Sequence, residues 1–195
     1  SLYAQLTSAD TTFTDANLCD SDYYYYVEAW QVGTNFISRS NIDFNHPPFY
    51  IPNIPLEVIR ATVINDKEVL LEWDTSGVLN TNRKNYLIDK MDPSGSFKNI
   101  AISTSNSYID KAVDVHAKSY TYRVRMQDYC GNINPGSNIG RSINLKVTNT
   151  GYNVNLAWNT YGDWSNSIQA YILEFYDKLS QSFIVTAVLP PTDSS

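Results

Sequence analysis

The sequence repeats itself, and the first repeat links its N-terminal part to a stretch about 97 residues later. Residues 23–29 (YYYYVEA) align with residues 120–126 (YTYRVRM) at an offset of 97. Just upstream, residues 13–15 (FTD) align with 108–110 (YID) at an offset of 95, which a two-residue length change in the intervening loop explains. Internal repetition constrains the fold strongly, because both copies must form the same structural unit.

A second repeat links the central stretch to the C-terminal part. Residues 69–73 (VLLEW) align with 154–158 (VNLAW) at an offset of 85. The same offset places residues 86–89 (YLID) on 171–174 (YILE). Two different halves of one unit are therefore each present twice.

The two repeats predict the domain organisation. In the second repeat, an increase of the offset by one residue, from 85 to 86, aligns Phe97 with Phe183. We predict that residues 1–48 are the C-terminal half of a unit, residues 49–143 a complete unit, and residues 144–195 the N-terminal half of a unit. Such halves expose apolar strands and unpaired edges, which favour pairing with other strands.

Alternating side chains predict that the units are built from β-strands. Residues 120–126 alternate apolar or aromatic side chains with polar ones, a period of two that is typical of a half-buried strand. Turn-forming sequences such as residues 92–95 (DPSG) and 134–136 (NPG) separate the runs. The 15 tyrosines and four tryptophans fit strands better than helices. Regularly spaced strands without helical segments indicate an all-β sandwich or barrel.

The complete unit resembles a fibronectin type III domain. The resemblance is carried by Trp73 in the second strand, Tyr86 in the third, the residues 120–124 (YTYRV) and the Ser-Asn pair at 137–138. It implies tandem immunoglobulin-like sandwiches, one complete and two partial. It also implies a tyrosine corner in each copy, at the first residue of 23–29 and of 120–126. The predicted core positions are Tyr23, Val27, Trp73, Tyr86, Tyr120, Val124, Trp158 and Tyr171.

Two shorter signatures resemble fibronectin-like modules of large proteins exported by gliding bacteria. Residues 128–132 (DYCGN) are similar to a D-x-C-G-N turn of that group, and residues 156–164 (LAWNTYGDW) to an L-x-W-x-x-Y-x-x-W segment. Such proteins are typically substrates of type IX secretion. The resemblance implies a secreted or cell-surface location and a role as a structural spacer or scaffold, of the gliding-motility-associated or adhesin type.

Composition and motifs argue against catalysis, nucleic-acid binding and membrane insertion. The net charge of −6 comes without the basic stripe that phosphate binding needs, and no apolar run is long enough to cross a bilayer. The two histidines, His46 and His116, have no candidate nucleophile with an orienting acid beside them. The glycines form no phosphate-binding loop. We therefore predict no enzymatic activity and no cofactor.

Acidic loops are the one feature that suggests a metal. Asp15, Asp20 and Asp22 share a loop, and Asp110 and Asp114 share the equivalent loop of the complete unit. Calcium requires six or more converging oxygen ligands. Neither loop has the regular spacing of a calcium-binding loop, so no metal site is predicted.

Tyr161, Asp163 and Trp164 are the candidate contact residues. They follow the strand that ends at Trp158, and loops of a sandwich often carry its binding surfaces. Either they stack on a sugar ring, or they pack at a junction between units, because tyrosine and tryptophan suit both settings. The expected partners are neighbouring modules of the same polypeptide, with secretion machinery or surface glycans as further candidates. The alternative functions are a carbohydrate- or protein-binding module and an accessory region of an extracellular hydrolase.

The two cysteines, Cys19 and Cys130, fall in different predicted units. A disulfide requires Cα atoms within about 7 Å, and loops of successive sandwiches rarely approach so closely. We therefore expect these two cysteines not to pair with each other.

Overall fold

The structure, a computed structural model, describes residues 4–7, 9–16, 18–19, 21–47, 56–76, 83–162 and 168–191. These residues contain fifteen β-strands and no helix, so the predicted all-β fold is confirmed. No helix capable of crossing a membrane is found among them.

The strands fall into three groups along the chain. The N-terminal segment contains β1 (Tyr23–Tyr25), β2 (Glu28–Trp30), β3 (Ile37–Arg39) and β4 (Asp43–Asn45). The central sandwich contains β5 (Glu57–Ile64), β6 (Glu68–Asp74), β7 (Arg83–Met91), β8 (Phe97–Ser103), β9 (Ser107–Asp110), β10 (Thr121–Asp128) and β11 (Gly140–Arg141). The C-terminal segment contains β12 (Leu145–Thr150), β13 (Asn153–Trp158), β14 (Tyr171–Asp177) and β15 (Ser182–Leu189).

The central sandwich has the strand order of a fibronectin type III-like domain. One sheet has the order β5-β6-β9 and the other the order β11-β10-β7-β8, with every neighbouring pair antiparallel. The sheets approach closely where a Cβ added to Gly140 would lie 2.6 Å from Val58 Cγ1. Glycine at this position therefore permits the first and last strands to meet.

The core lies between these two sheets. Trp73 and Tyr86, from opposite sheets, are fully buried, and their ring centroids are 5.2 Å apart in an edge-to-face arrangement. Alternate residues of β10 point inward, and Val124 is fully buried among them. Apolar alternation in the sequence thus produces one continuous core from both sheets.

The N-terminal segment reproduces the second half of the central sandwich in detail. β1 pairs with β4 so that Tyr24 lies opposite Phe44. The equivalent residues 97 positions later, Thr121 and Arg141, lie opposite each other in β10 and β11. Val27 N–H donates to Ser40 Oγ over 2.9 Å. The equivalent bond from Val124 to Ser137 has the same length.

The C-terminal segment reproduces the first half in the same way. The Trp158 and Tyr171 rings meet edge to face at 5.6 Å, as their counterparts do in the central core. β14 pairs with β15, and the register shifts between Leu173 and Glu174. The shift between β7 and β8 falls between the equivalent residues, Ile88 and Asp89.

The core positions of the two terminal segments are less covered than those of the central sandwich. In the terminal segments, Tyr171 is buried, whereas Tyr23 and Trp158 are half-buried. Tyr120 of the central sandwich is half-buried as well. Val27 is 67% exposed and is therefore no core residue within one chain. Its N–H makes the same hydrogen bond to a serine as that of Val124, but the described residues place no opposing sheet over its side chain. The domain boundary at 48–49 lies outside the described residues, and the boundaries stay predictions.

Candidate functional site at the two junctions

The turn after β10 fixes the position of Cys130. Asp128 Oδ1 accepts hydrogen bonds from the N–H groups of Cys130 and Asn132, at 2.9 and 2.8 Å, and Asp128 Oδ2 accepts one from Asn132 Nδ2 at 2.9 Å. Gly131 has a φ of +86°, a conformation that glycine adopts without strain. Each defined residue of the DYCGN signature therefore has a structural role in presenting the cysteine.

Cys130 forms a disulfide with Cys19, so the expectation that these cysteines do not pair is wrong. Their Cα atoms are 5.3 Å apart although 111 residues separate them in sequence. A tyrosine corner holds the N-terminal partner, because Cys19 N–H donates to Tyr23 Oη over 3.0 Å. The equivalent bond from Asp114 N–H to Tyr120 Oη is 2.8 Å long, and both predicted corners are confirmed. The disulfide covalently joins the N-terminal segment to the central sandwich.

A polar cluster fixes the second junction, between β11 and β12. Asn159 Nδ2 donates to the carbonyl of Ser142 over 3.1 Å, and Asn159 Oδ1 accepts from Asn144 N–H over 2.8 Å. Asn144 Nδ2 in turn donates to the carbonyl of Val115, in the loop before β10, over 2.5 Å. These hydrogen bonds hold residues 142–144, which connect β11 to β12.

Tyr161 spans this second junction. It is 8% exposed, and its hydroxyl accepts the N–H of Ala61 over 3.0 Å, on the edge strand β5. Its own N–H donates to Tyr171 Oη over 2.9 Å. This geometry is that of a packed contact between the central sandwich and the C-terminal segment. The other two candidate contact residues, Asp163 and Trp164, lie outside the described residues.

Tyr161→Phe is expected to lower the free energy of unfolding by about 1–2 kcal/mol, because the buried N–H of Ala61 loses its acceptor. Thermal and chemical unfolding of the oxidised chain measure this change. Tyr152→Phe is the matched control, since Tyr152 is fully exposed and its change should stay within about 0.5 kcal/mol. Equal stabilities of the two variants would contradict the assigned contact.

Two buried carboxylates of the central sandwich, Asp89 and Asp110, are paired with cationic side chains. Asp89 accepts hydrogen bonds from Arg123 at 2.9 Å and from Arg125 at 2.6 Å. Burial by itself raises the pKa of Asp89, but the bonds and charges of the two guanidinium groups outweigh it and leave this pKa below its ordinary value. The carboxylate is therefore held in its charged form by a structural network.

The second buried carboxylate, Asp110, has a similar environment. Its Oδ2 accepts from Lys90 Nζ at 2.8 Å and from the Tyr122 hydroxyl at 2.9 Å, and its Oδ1 accepts from Ala112 N–H at 2.9 Å. Burial, together with the adjacent carboxylate, raises the pKa of Tyr122 far above its ordinary value. The phenol therefore remains a hydrogen-bond donor at any physiological pH.

The acidic loops and the histidines take part in local pairs. Asp15 accepts the Tyr25 hydroxyl at 2.9 Å, and Asp22 lies 2.8 Å from His46 Nδ1. Asp114 Oδ1 accepts the N–H of His116 at 3.1 Å. Asp20 lies outside the described residues. Within the ranges that the structure describes, no three His, Cys, Asp or Glu side chains converge as metal ligands.

Comparisons with known proteins return only distant likenesses. No protein-family model matches the sequence, and no curated protein matches it. An Fn3-like protein from Clostridium thermocellum is 20% identical over 43% of this chain and 83% of that chain, with a TM-score of 0.36. A beta-1,2-glucanase from Parabacteroides distasonis is 18% identical over 56% of this chain and 16% of that chain, with a TM-score of 0.36. The FN1-FN3 domains of chicken CNTN1 are 13% identical over 88% of this chain and 65% of that chain, with a TM-score of 0.38. Because these scores are too low to carry an argument, the fibronectin type III-like assignment rests on the strand order.

Proposed function

We propose that the chain is a structural spacer of a secreted or cell-surface protein, in which linked sandwiches hold distance between neighbouring parts. The observation that carries this proposal is that both junctions of the central sandwich are fixed, one by the Cys19–Cys130 disulfide and the other by the buried hydroxyl of Tyr161. Neighbouring domains move relative to each other unless their interface prevents it. A spacer requires such fixed junctions, whereas a flexible string of binding modules does not.

The disulfide also supports the extracellular location. Structural disulfides form and persist in oxidising compartments and are rare in the cytosol. The gliding-motility-associated or adhesin type, with type IX secretion, is supported by the resemblance of residues 128–132 and 156–164. The partners that follow are neighbouring modules of the same polypeptide and the secretion machinery. Surface glycans are partners only under the alternative of a binding module.

The geometry of Tyr161 favours the spacer over the binding module. Its ring is buried and its hydroxyl is engaged by Ala61, so it offers no platform for a sugar. A glycan array decides between the two functions. Sugar binding that disappears in Trp164→Ala would support the binding module and contradict the spacer. An accessory role beside a hydrolase is the remaining alternative, for which the described residues offer no specific support.

Small-angle X-ray scattering of the oxidised and reduced chain, at dilution, tests the spacer. We expect reduction to increase the maximum dimension, because the N-terminal segment loses its covalent link to the central sandwich. The Cys130→Ser variant is the control, since its scattering should match that of the reduced chain and should not respond to reductant. Identical scattering of the oxidised and reduced chains would show that the disulfide does not fix this junction, and the proposed function would lose one of the two observations that carry it.

A further inference from the structure

The two junctions of the central sandwich are held by different chemical groups. At the first junction, the Cys19–Cys130 disulfide joins a loop of the N-terminal segment to the turn after β10. At the second junction the contacts described above are hydrogen bonds, among them the one from Ala61 N–H to the Tyr161 hydroxyl. Since the chain contains two cysteines and both belong to the first junction, thiol chemistry can act on that junction alone.

The residue equivalent to Cys19 in the central sandwich is Asp114. The offset of 95 relates the two positions, and each residue donates its N–H to the hydroxyl of its own tyrosine corner. The Asp114 carboxylate accepts hydrogen bonds from two N–H groups of its own loop, both over 3.1 Å. The same loop contacts the second junction through the carbonyl of Val115. This loop therefore has a carboxylate that caps it where the loop at the first junction has a cysteine.

The residue equivalent to Tyr161 in the central sandwich is Ser76, by the offset of 85. Ser76 is exposed, and its bonds are local: its N–H donates to Asp74 Oδ1 over 2.8 Å and its hydroxyl to Asp74 Oδ2 over 2.7 Å. A serine side chain is too short to span a junction as Tyr161 does. Among the described residues of the first junction, the disulfide thus takes the place of the tyrosine contact.

Each of the two cysteines is positioned by its own segment. Cys19 N–H is held by Tyr23 Oη, and Cys130 N–H by Asp128 Oδ1. Neither hydrogen bond involves a sulfur atom, so both can persist when the disulfide is reduced. Both cysteines are half-buried, which leaves the bond accessible to small thiols. Groups that are held in place in advance react more readily than groups on disordered loops, so this positioning favours re-formation of the bond.

We infer that the Cys19–Cys130 disulfide is a reversible redox switch of the first junction. A dithiol opens it by exchange: the bond between the two cysteine sulfurs breaks, a disulfide forms within the dithiol, and two electrons and two protons pass to the cysteines, which become thiols. Oxidised glutathione closes it by the reverse exchange. Opening frees the N-terminal segment, whereas the second junction stays fixed in both states. This inference rests on the proposed spacer function, to which it adds regulation at one of the two junctions.

Backbone 15N relaxation of the whole chain, with and without dithiothreitol, tests this selectivity, because it reports the tumbling of each segment separately. In the oxidised chain we expect one rotational correlation time for β1, β10 and β14. After reduction we expect the value for β1 to fall clearly below that for β10, while β10 and β14 keep a common value. The amide signals of β1–β4 should remain dispersed, and reoxidation should restore the single correlation time. Cys130→Ser is the control, since it should match the reduced chain and should not respond to dithiothreitol.

The outcomes separate the switch from the spacer. An unchanged correlation time for β1 on reduction, different values for β10 and β14 that appear only on reduction, or a loss of β1–β4 signals that reoxidation does not reverse would overturn the switch alone. Different values for β10 and β14 already in the oxidised chain would contradict the spacer and the switch together, because the second junction would then not be fixed.

The equilibrium with glutathione tests how the cysteines are positioned. Mass spectrometry after acid quenching measures the fraction of chains that carry the bond at set ratios of reduced to oxidised glutathione. Tyr23→Phe removes the acceptor of Cys19 N–H and is expected to lower the equilibrium constant for bond formation about fivefold, as loss of one hydrogen bond allows. Tyr120→Phe, the same change in the other tyrosine corner, is the matched control and should leave the constant unchanged. Equal constants for the two variants would overturn the assigned positioning.

Discussion

Trp73→Ala is expected to destabilise the central sandwich by about 3–5 kcal/mol, the range found when a buried tryptophan is truncated. Trp73 is fully buried and packs edge to face on Tyr86 from the opposite sheet, so its removal leaves a cavity between the sheets. Since small domains are stabilised by only about 5–15 kcal/mol in total, this loss should be visible in chemical denaturation as a large fall in the midpoint.

Trp30→Ala is the matched control for this substitution. Trp30 is 68% exposed at the end of β2, so its truncation should change the free energy of unfolding by no more than about 0.5 kcal/mol. If Trp73→Ala unfolded with the same midpoint as Trp30→Ala, Trp73 could not be at the centre of the core, and the assigned sheet packing would be wrong.

Asp89→Asn is the second substitution with a large expected effect, a loss of about 3 kcal/mol. The change keeps the shape of the side chain but removes its charge, and it leaves Arg123 and Arg125 without their counter-ion. Chemical denaturation at neutral pH measures the loss. Asp66→Asn is the control, because Asp66 is exposed and its φ of 54° is one that asparagine tolerates. Equal stability of the two variants would show that the buried network contributes nothing.

The same network predicts a pH dependence. Because the pKa of Asp89 is lower in the folded chain than in the unfolded one, its stabilising contribution is present above the ordinary carboxyl pKa of about 4 and is lost as the pH falls through the folded value. The stability difference between the unsubstituted chain and Asp89→Asn should therefore shrink below about pH 4. A difference that stayed constant down to strongly acidic pH would contradict the low pKa.

Local patterns in the sequence predict most of what the structure shows within each segment. The one-residue difference that aligns Phe97 with Phe183 lies in the turn between the two strands. Five residues separate the paired residues Met91 and Phe97, whereas six separate Tyr176 and Phe183. Such agreement is expected, because strand register follows from the alternation of side chains and from the turns, both of which are local.

Contacts between segments could not be predicted in this way. The pattern around Val27 tells which face is apolar but not whether another sheet covers it. The pairing of Cys19 with Cys130 depends on how two units are placed relative to each other, and no local pattern encodes that placement. Likewise, the position of Tyr161 in the loop after Trp158 suits it to a contact, but its sequence neighbours do not indicate that Ala61 is the partner.

The disulfide has a mechanical consequence when tension acts on the two ends of the chain. The pull passes directly from Cys19 to Cys130, which are 111 residues apart in sequence. The strands β1–β10 all lie inside this bridged loop and carry no load as long as the bond is intact. The chain can therefore lengthen only through its terminal parts, and reduction of one bond makes the contour length of the central sandwich available to stretching.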